Sequence, residues 1–173
     1  MPTSTYEPIA TTTIGSRTTS YTFSSIPQTY TDLRLILNLG SPATANLSVY
    51  PNNDSTNNCQ YIYLASGGGA TPVGRYSGSG GAVQPGYGLS WTGGDMHPNS
   101  TYARYDIFSY TNTSKYKAAT SQFSDINTTQ GGIMMVQHMW LSTAAITSLV
   151  VHTTSAELWE VGTVMTLYGI KAA

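Results

Sequence analysis

Apolar and polar residues alternate along most of this chain. In the run DLRLILNL, Leu33, Leu35, Leu37 and Leu39 fall on one side and Arg34, Ile36 and Asn38 on the other. A period of two is the mark of a half-buried strand, whose successive side chains point to opposite faces of a sheet. The same alternation separates Tyr21, Phe23 and Ser25 from Thr22 and Ser24. Between Tyr102 and Tyr110 it separates Ala103, Tyr105 and Ile107 from Arg104, Asp106 and Phe108. Further strands are predicted over Ile9–Ile14, Asn46–Tyr50, Tyr61–Ala65, Lys117–Phe123, Ile133–Leu141, Thr147–Thr153 and Val164–Ile170. No window shows the three-and-four apolar spacing of an amphipathic helix. About ten short strands separated by Gly, Pro and Asn turn residues predict an all-β, single-domain β-sandwich or a closed barrel spanning residues 1–173. Leu35 and Leu37, in the middle of the all-Leu side, are expected in its core.

The breaks in the alternation predict the connections. Pro27 has no N–H for a central ladder, so it marks a turn between a strand ending near Ile26 and one starting near Asp32. Two stretches read as loops: the polar cluster Pro51–Asn58 (PNNDSTNN) and the long Gly-rich segment Ser66–Gly94. Long loops in compact domains commonly carry function or form interfaces.

Composition narrows the function classes. The chain has 173 residues, enough for one core that buries about 70% of the unfolded surface without disulfide staples. Charged residues make up 9%, against about 25% in an ordinary soluble domain; Thr, Ser, Asn and Gly take their place. With 7 Lys and Arg in all and no basic stripe, phosphate neutralisation is unavailable and nucleic acid is not an expected partner. The single cysteine, Cys59, forms no internal disulfide. The opening MPTSTYEPIA has neither the basic nor the apolar region of a secretion signal. No apolar run reaches the roughly 18 residues of a spanning helix. The expectation is a protein made in a cytoplasm, with no membrane partner.

Catalytic chemistry finds little to stand on. His97, His138 and His152 lie far apart, without metal-ligand spacing to one another or to Cys59. The Gly-rich runs lack GxxxxGK[ST] and are followed by no helix, so they do not read as a phosphate loop. Gly88-Leu89-Ser90-Trp91 approaches a nucleophile elbow, but its second glycine falls out of register at Gly93. The few carboxylates mark no facing pair of the kind a glycosidase needs. The expectation is no enzyme, no catalytic residue, no cofactor and no metal. What stands out is surface: 13 Tyr and 3 Trp exceed the needs of one core, and Tyr and Trp with low charge mark protein interfaces. They serve equally to stack on sugars. Tyr76, Tyr87, Trp91, Tyr110 and Tyr116 are the candidate interface or ligand contacts, the first three within the Gly-rich loop.

The two ends of the chain are more specific. The start, YEPIATTTIGSRTTSYTFSSIPQTYTDLRLIL, resembles a recurrent opening of tailed-bacteriophage virion proteins, through Ile9, Ala10, Gly15, Ser16, Phe23, Ile26, Pro27, Tyr30, Thr31, Asp32 and Leu33. The end, ITSLVVHTTSAELWEVGTVMTLYGIKAA, is similar to the close of the same proteins through Gly162, Leu167, Tyr168, Gly169, Ile170 and Lys171. Trp159-Glu160-Val161 departs from their usual lead-in, and Asn46 to Ser142 matches nothing recognisable. The resemblance implies a β-sandwich of jelly-roll type that assembles on a virion. It implies head decoration or a part of the tail; a single compact domain with no repeats to build a shaft favours a capsid decoration (cement) protein, and the expected partners are the major capsid protein or other virion proteins and further copies in a homo-oligomer, a trimer favoured. The alternative is a tail or tail-fibre component contacting host-surface glycan; a polysaccharide-degrading enzyme comes third. A low-charge surface suits a protein largely covered by neighbours in a particle.

Overall fold

A computed structural model describes residues 5–39, 47–56, 58–67, 77–80, 101–126, 131–153 and 158–171. The described residues form eleven strands: β1 Tyr6–Thr13, β2 Ser20–Phe23, β3 Asp32–Leu39, β4 Leu47–Pro51, β5 Cys59–Gly67, β6 Ser77–Gly80, β7 Thr101–Phe108, β8 Lys117–Ile126, β9 Gly131–Trp140, β10 Leu149–Thr153 and β11 Val164–Ile170. Among the described residues there is no helix. The strands form an eight-stranded sheet in the order β1-β11-β3-β7-β8-β9-β5-β6 and a three-stranded sheet in the order β2-β10-β4, antiparallel throughout. The all-β sandwich expected from the alternation is the fold.

The core forms where the inward sides of the two sheets meet. Leu33, Leu35 and Leu37 of β3 are fully buried, while Arg34 and Ile36 are half-buried and Asn38 is exposed. Leu35 pairs with Leu167 of β11 on one side and with Tyr105 of β7 on the other, so one apolar row crosses three strands. Phe23, Leu149, Val151, Leu47 and Val49 of the smaller sheet belong to the same cluster. Burying a side chain of this size contributes about 1.5–3 kcal/mol, and these rows hold the sheets together.

The Pro27 turn differs in kind from the one expected. β2 stops at Phe23, Ser25 takes a positive φ of 54°, and the chain leaves the three-stranded sheet to enter the eight-stranded one at Asp32. It is a crossing between layers, fastened by Ile26 N–H donating to the Thr147 carbonyl at 3.0 Å and Thr31 N–H to the Ile170 carbonyl at 2.8 Å. The Pro51–Asn58 cluster does turn: Asn52 and Asn53 are both left-handed, and Asp54 N–H closes on the Pro51 carbonyl at 2.9 Å. Asn tolerates that backbone region better than most residues.

Ser66–Gly94 is not one continuous loop. β5 runs on to Gly67, and β6 lies within the segment, pairing Ser77 to Gly80 with Ile62 to Cys59. A Ser-Gly-Ser-Gly strand offers no apolar side to detect.

Candidate interaction surface

The side of the eight-stranded sheet turned away from the core departs from the polar facing that a solvated sheet carries. Residues paired directly across neighbouring strands share a face, so the register places side chains in rows. One row runs Tyr168, Arg34, Asp106, Thr120, Gln137. The next runs Thr166, Ile36, Arg104, Gln122, Met135, and a shorter one Phe108, Ala118, Met139. Tyr6, Tyr102, Phe108, Met135 and Met139, between 37% and 48% exposed, all stand on this face. Elsewhere among the described residues the exposed large apolar side chains are Tyr116 and Val161. Phe108 and Met139 flank the small Ala118 in the register.

A charged centre is set into the apolar surround. Arg34 donates from Nε to Asp106 Oδ1, and Arg104 approaches Asp106 Oδ2 from the other side at 3.3 Å. Tyr6 stacks on Tyr168 with ring centroids 4.5 Å apart and an 18° tilt, and the Arg34 guanidinium carbon sits 5.7 Å from the Tyr6 ring centroid. The hydrogen bond to Asp106 pushes Arg34 up and burial pushes the Tyr6 phenol up, so the first stays charged and the second neutral around pH 7. An ion cluster sharing one sheet face with exposed Tyr, Phe and Met has the make-up of a protein contact surface, where aromatics, Met and Arg are enriched and Lys and Glu depleted.

The contacts expected from sequence fare unevenly. Tyr76, Tyr87 and Trp91 lie outside the described residues. Tyr116 is exposed, on the turn after β7 rather than on the sheet face. Tyr110 is corrected: it is fully buried and its hydroxyl donates to the Pro27 carbonyl. The cause is local. Alternation would have carried Tyr110 to the outer side with Phe108, but Ser109 adopts a φ of 49°, with its N–H held by Asp32 Oδ1 at 2.7 Å, and the next side chain swings inward. Sequence reasoning missed Tyr6, Tyr102, Phe108, Met135 and Met139. The signal was available, because the outward positions of β7 and β9 carry large apolar residues where water-facing strands carry polar ones.

Catalytic groupings do not assemble among the described residues. No three His, Cys, Asp or Glu side chains there could hold a metal ion. Ser121 and His138 do meet, Oγ to Nε2 at 2.8 Å, yet each is 1% exposed and no carboxylate among the described residues hydrogen-bonds the imidazole. Asp54 is saturated. Desolvation pushes its carboxyl up, but donors from Thr56, Trp140 and Asn58 more than offset that and hold it down to about 2. No protein-family model matches this chain, and neither does any curated protein or solved structure.

Proposed function

We propose that this protein is a structural component of a tailed-phage virion, a head decoration protein that docks through the outer face of its eight-stranded sheet and catalyses nothing. The observation that carries the reading is the concentration of Tyr6, Tyr102, Phe108, Met135 and Met139 around the Arg34–Asp106–Arg104 cluster. Two further features support it. The segments resembling phage virion proteins come together in space, because β1, β11 and β3 are neighbours. The strand order also suits the jelly-roll type: β1-β11-β3-β7 opposes β2-β10-β4, so the pairs β1–β11, β2–β10 and β3–β7 nest as in a rolled-up hairpin. β5 leaves that scheme by pairing with β9, which extends one sheet with β8, β9, β5 and β6. A homo-oligomer, a trimer in the first instance, multiplies modest single contacts by effective concentration, about 10²–10⁴ for a linked second site.

The test adds purified protein to phage heads that lack it, at low and at high salt, and measures occupancy. Binding at both salts is expected, because the ion cluster of that face, two guanidiniums on one carboxylate, leaves a single net charge to screen. Met135→Asp together with Met139→Asp should abolish binding while the circular dichroism of the sheet is unchanged. Undiminished occupancy by the double variant would remove the sheet face from the reading. Binding to host envelope polysaccharide in place of heads would move the protein to the tail, and release of reducing sugar would make it an enzyme.

A further inference from the structure

The inward side of β8, β9 and β5 holds a titratable group that the docking reading does not use. His138 lies on β9, 1% exposed, paired with Ala119 of β8 and Tyr61 of β5. Its ring stacks on Tyr105 with centroids 6.3 Å apart and a 26° tilt. Nε2 is 2.8 Å from Ser121 Oγ, and Nδ1 is buried without a hydrogen-bond partner among the described residues. A bare lone pair on Nδ1 is cheaper to bury than an N–H with nothing to accept it, so hydrogen bonding assigns the neutral tautomer as Nε2–H donating to Ser121. Protonation would place a second N–H on Nδ1, facing no acceptor, and a positive charge inside the sheet.

Among the described residues no acidic side chain faces the ring. β8 presents Ala119 and Ser121 and, one row on, Lys117; the buried ammonium of Lys117 is already held by the Lys115 and Thr143 carbonyls at 2.9 and 3.1 Å. β7 presents Tyr105, whose phenol burial pushes well up, and Ile107; β5 presents Tyr61. One row beyond His138, the Asp54 carboxylate is taken up by the Trp140 indole N–H, which it accepts at 2.8 Å. A charged His138 would therefore share the interior with a like charge and, among the described residues, no counter-ion. Burial pushes its imidazole down from 6.5 to about 3.

We propose that His138 is an acid sensor whose protonation releases β8, β9 and β5 while β1, β11 and β3 stay folded. The division follows from what each part buries. Leu33, Leu35, Leu37, Met165 and Leu167 give the β3–β11 part an inner face with nothing to titrate, whereas Ser121, His138 and Lys117 lie in the other. The open form takes up the proton with an ordinary imidazole affinity. Each pH unit below 6.5 therefore raises the ratio of open to closed about tenfold, until the folded-state value is reached. At about pH 5 the gain is roughly thirtyfold by the same relation, still above the range where ordinary carboxylates titrate.

Amide hydrogen exchange at about pH 7.5 and pH 5, corrected for the intrinsic pH dependence of exchange, reads this directly. Protection in β8, β9 and β5 should fall by roughly thirtyfold and that in β3 and β11 should hold. His138→Gln, which keeps a donor for Ser121 and cannot titrate, should lose the pH response; His152 is present in both proteins, so their difference isolates His138. An equal loss of protection in β3 and β11, or the same response in His138→Gln, would overturn the proposal. Should that variant fail to fold, imidazole nitrogen resonances of the unmodified protein decide. A His138 that titrates near 6.5 while β8 and β9 remain protected is inconsistent with the sensor, and one that stays neutral until those strands open supports it.

Discussion

The two parts of the eight-stranded sheet share one hydrogen-bonded ladder but bury opposite kinds of chemistry. Across β11, β3 and the facing part of β7 the inner rows read Met165–Leu37–Ala103 and Leu167–Leu35–Tyr105, backed by Phe23, Leu149 and Val151 of the smaller sheet. Across β8 and β9 they read Lys117–Trp140, Ala119–His138 and Ser121–Val136. The first set depends on dispersion and on water exclusion, which do not vary with pH. The second includes polar groups whose burial is tolerable only while each hydrogen bond is made. A sheet can therefore be continuous in its backbone and discontinuous in what makes it stable.

The largest effect that sharpens this contrast is cavity formation in the aliphatic part. Leu35→Ala should cost about 2–5 kcal/mol, since a fully buried Leu loses both its transfer energy and its contacts. Denaturant unfolding measures it as a fall in midpoint at unchanged slope. The same part should resist added atoms as well. A Cβ on Gly169 would lie 2.3 Å from the Tyr30 ring, which covers that strand end and donates from its hydroxyl to Glu7 at 3.0 Å. Gly169→Ala is expected to cost about 1–3 kcal/mol, and most of that should disappear in a Tyr30→Ser background. A penalty that persists there would mean the strain comes from the backbone instead.

In the polar part the comparable change is electrostatic. Ser121→Ala leaves His138 Nε2 buried without its partner and should cost about 1–3 kcal/mol. A matching loss from Thr120→Ala, on the outward side of the same strand, would mean that the buried hydrogen bond contributes nothing special.

How much of this the sequence carried depends on whether side chains or backbone made the structure. β3 and β11 were legible because their alternation is the burial pattern itself, with Leu33, Leu35 and Leu37 inward. β6 was not, because Ser-Gly-Ser-Gly pairs through main-chain groups that every residue possesses. The contact surface was half legible. Outward Tyr102 and Phe108 are visible in the period of β7, but their company with Met135 and Met139 requires knowing that β7, β8 and β9 are successive neighbours. Tyr110 was misplaced because one left-handed residue, Ser109, inverts the parity of everything after it. His138 could be found in the sequence as an inward position of β9, though neither Ser121 as its partner nor the emptiness around Nδ1 could be.

The smallest effect tests whether the polar part is held from outside as well as within. Asp54, on the turn after β4, accepts the Trp140 indole N–H at 2.8 Å and the Asn58 amide at 3.1 Å on Oδ2, and the Thr56 N–H at 3.0 Å on Oδ1. These bonds favour the carboxylate and depress its pKa to about 2 from an ordinary 3.8. A depressed acid contributes stability that is fully present above its unfolded value and disappears as pH falls through its folded one. The contribution should therefore be constant from neutral pH down to about 4 and gone near 2. Because the group is only half-buried and its charge partly screened, Asp54→Asn should cost only about 0.5–1 kcal/mol at pH 7. Urea titrations of both proteins at pH 7 and at about pH 2 measure the difference. Convergence of the two at low pH is the expected result; a constant gap would assign the loss to packing of the turn rather than to charge. The window also separates this group from His138, whose effect begins below 6.5 and is well developed before the Asp54 carboxylate takes up a proton.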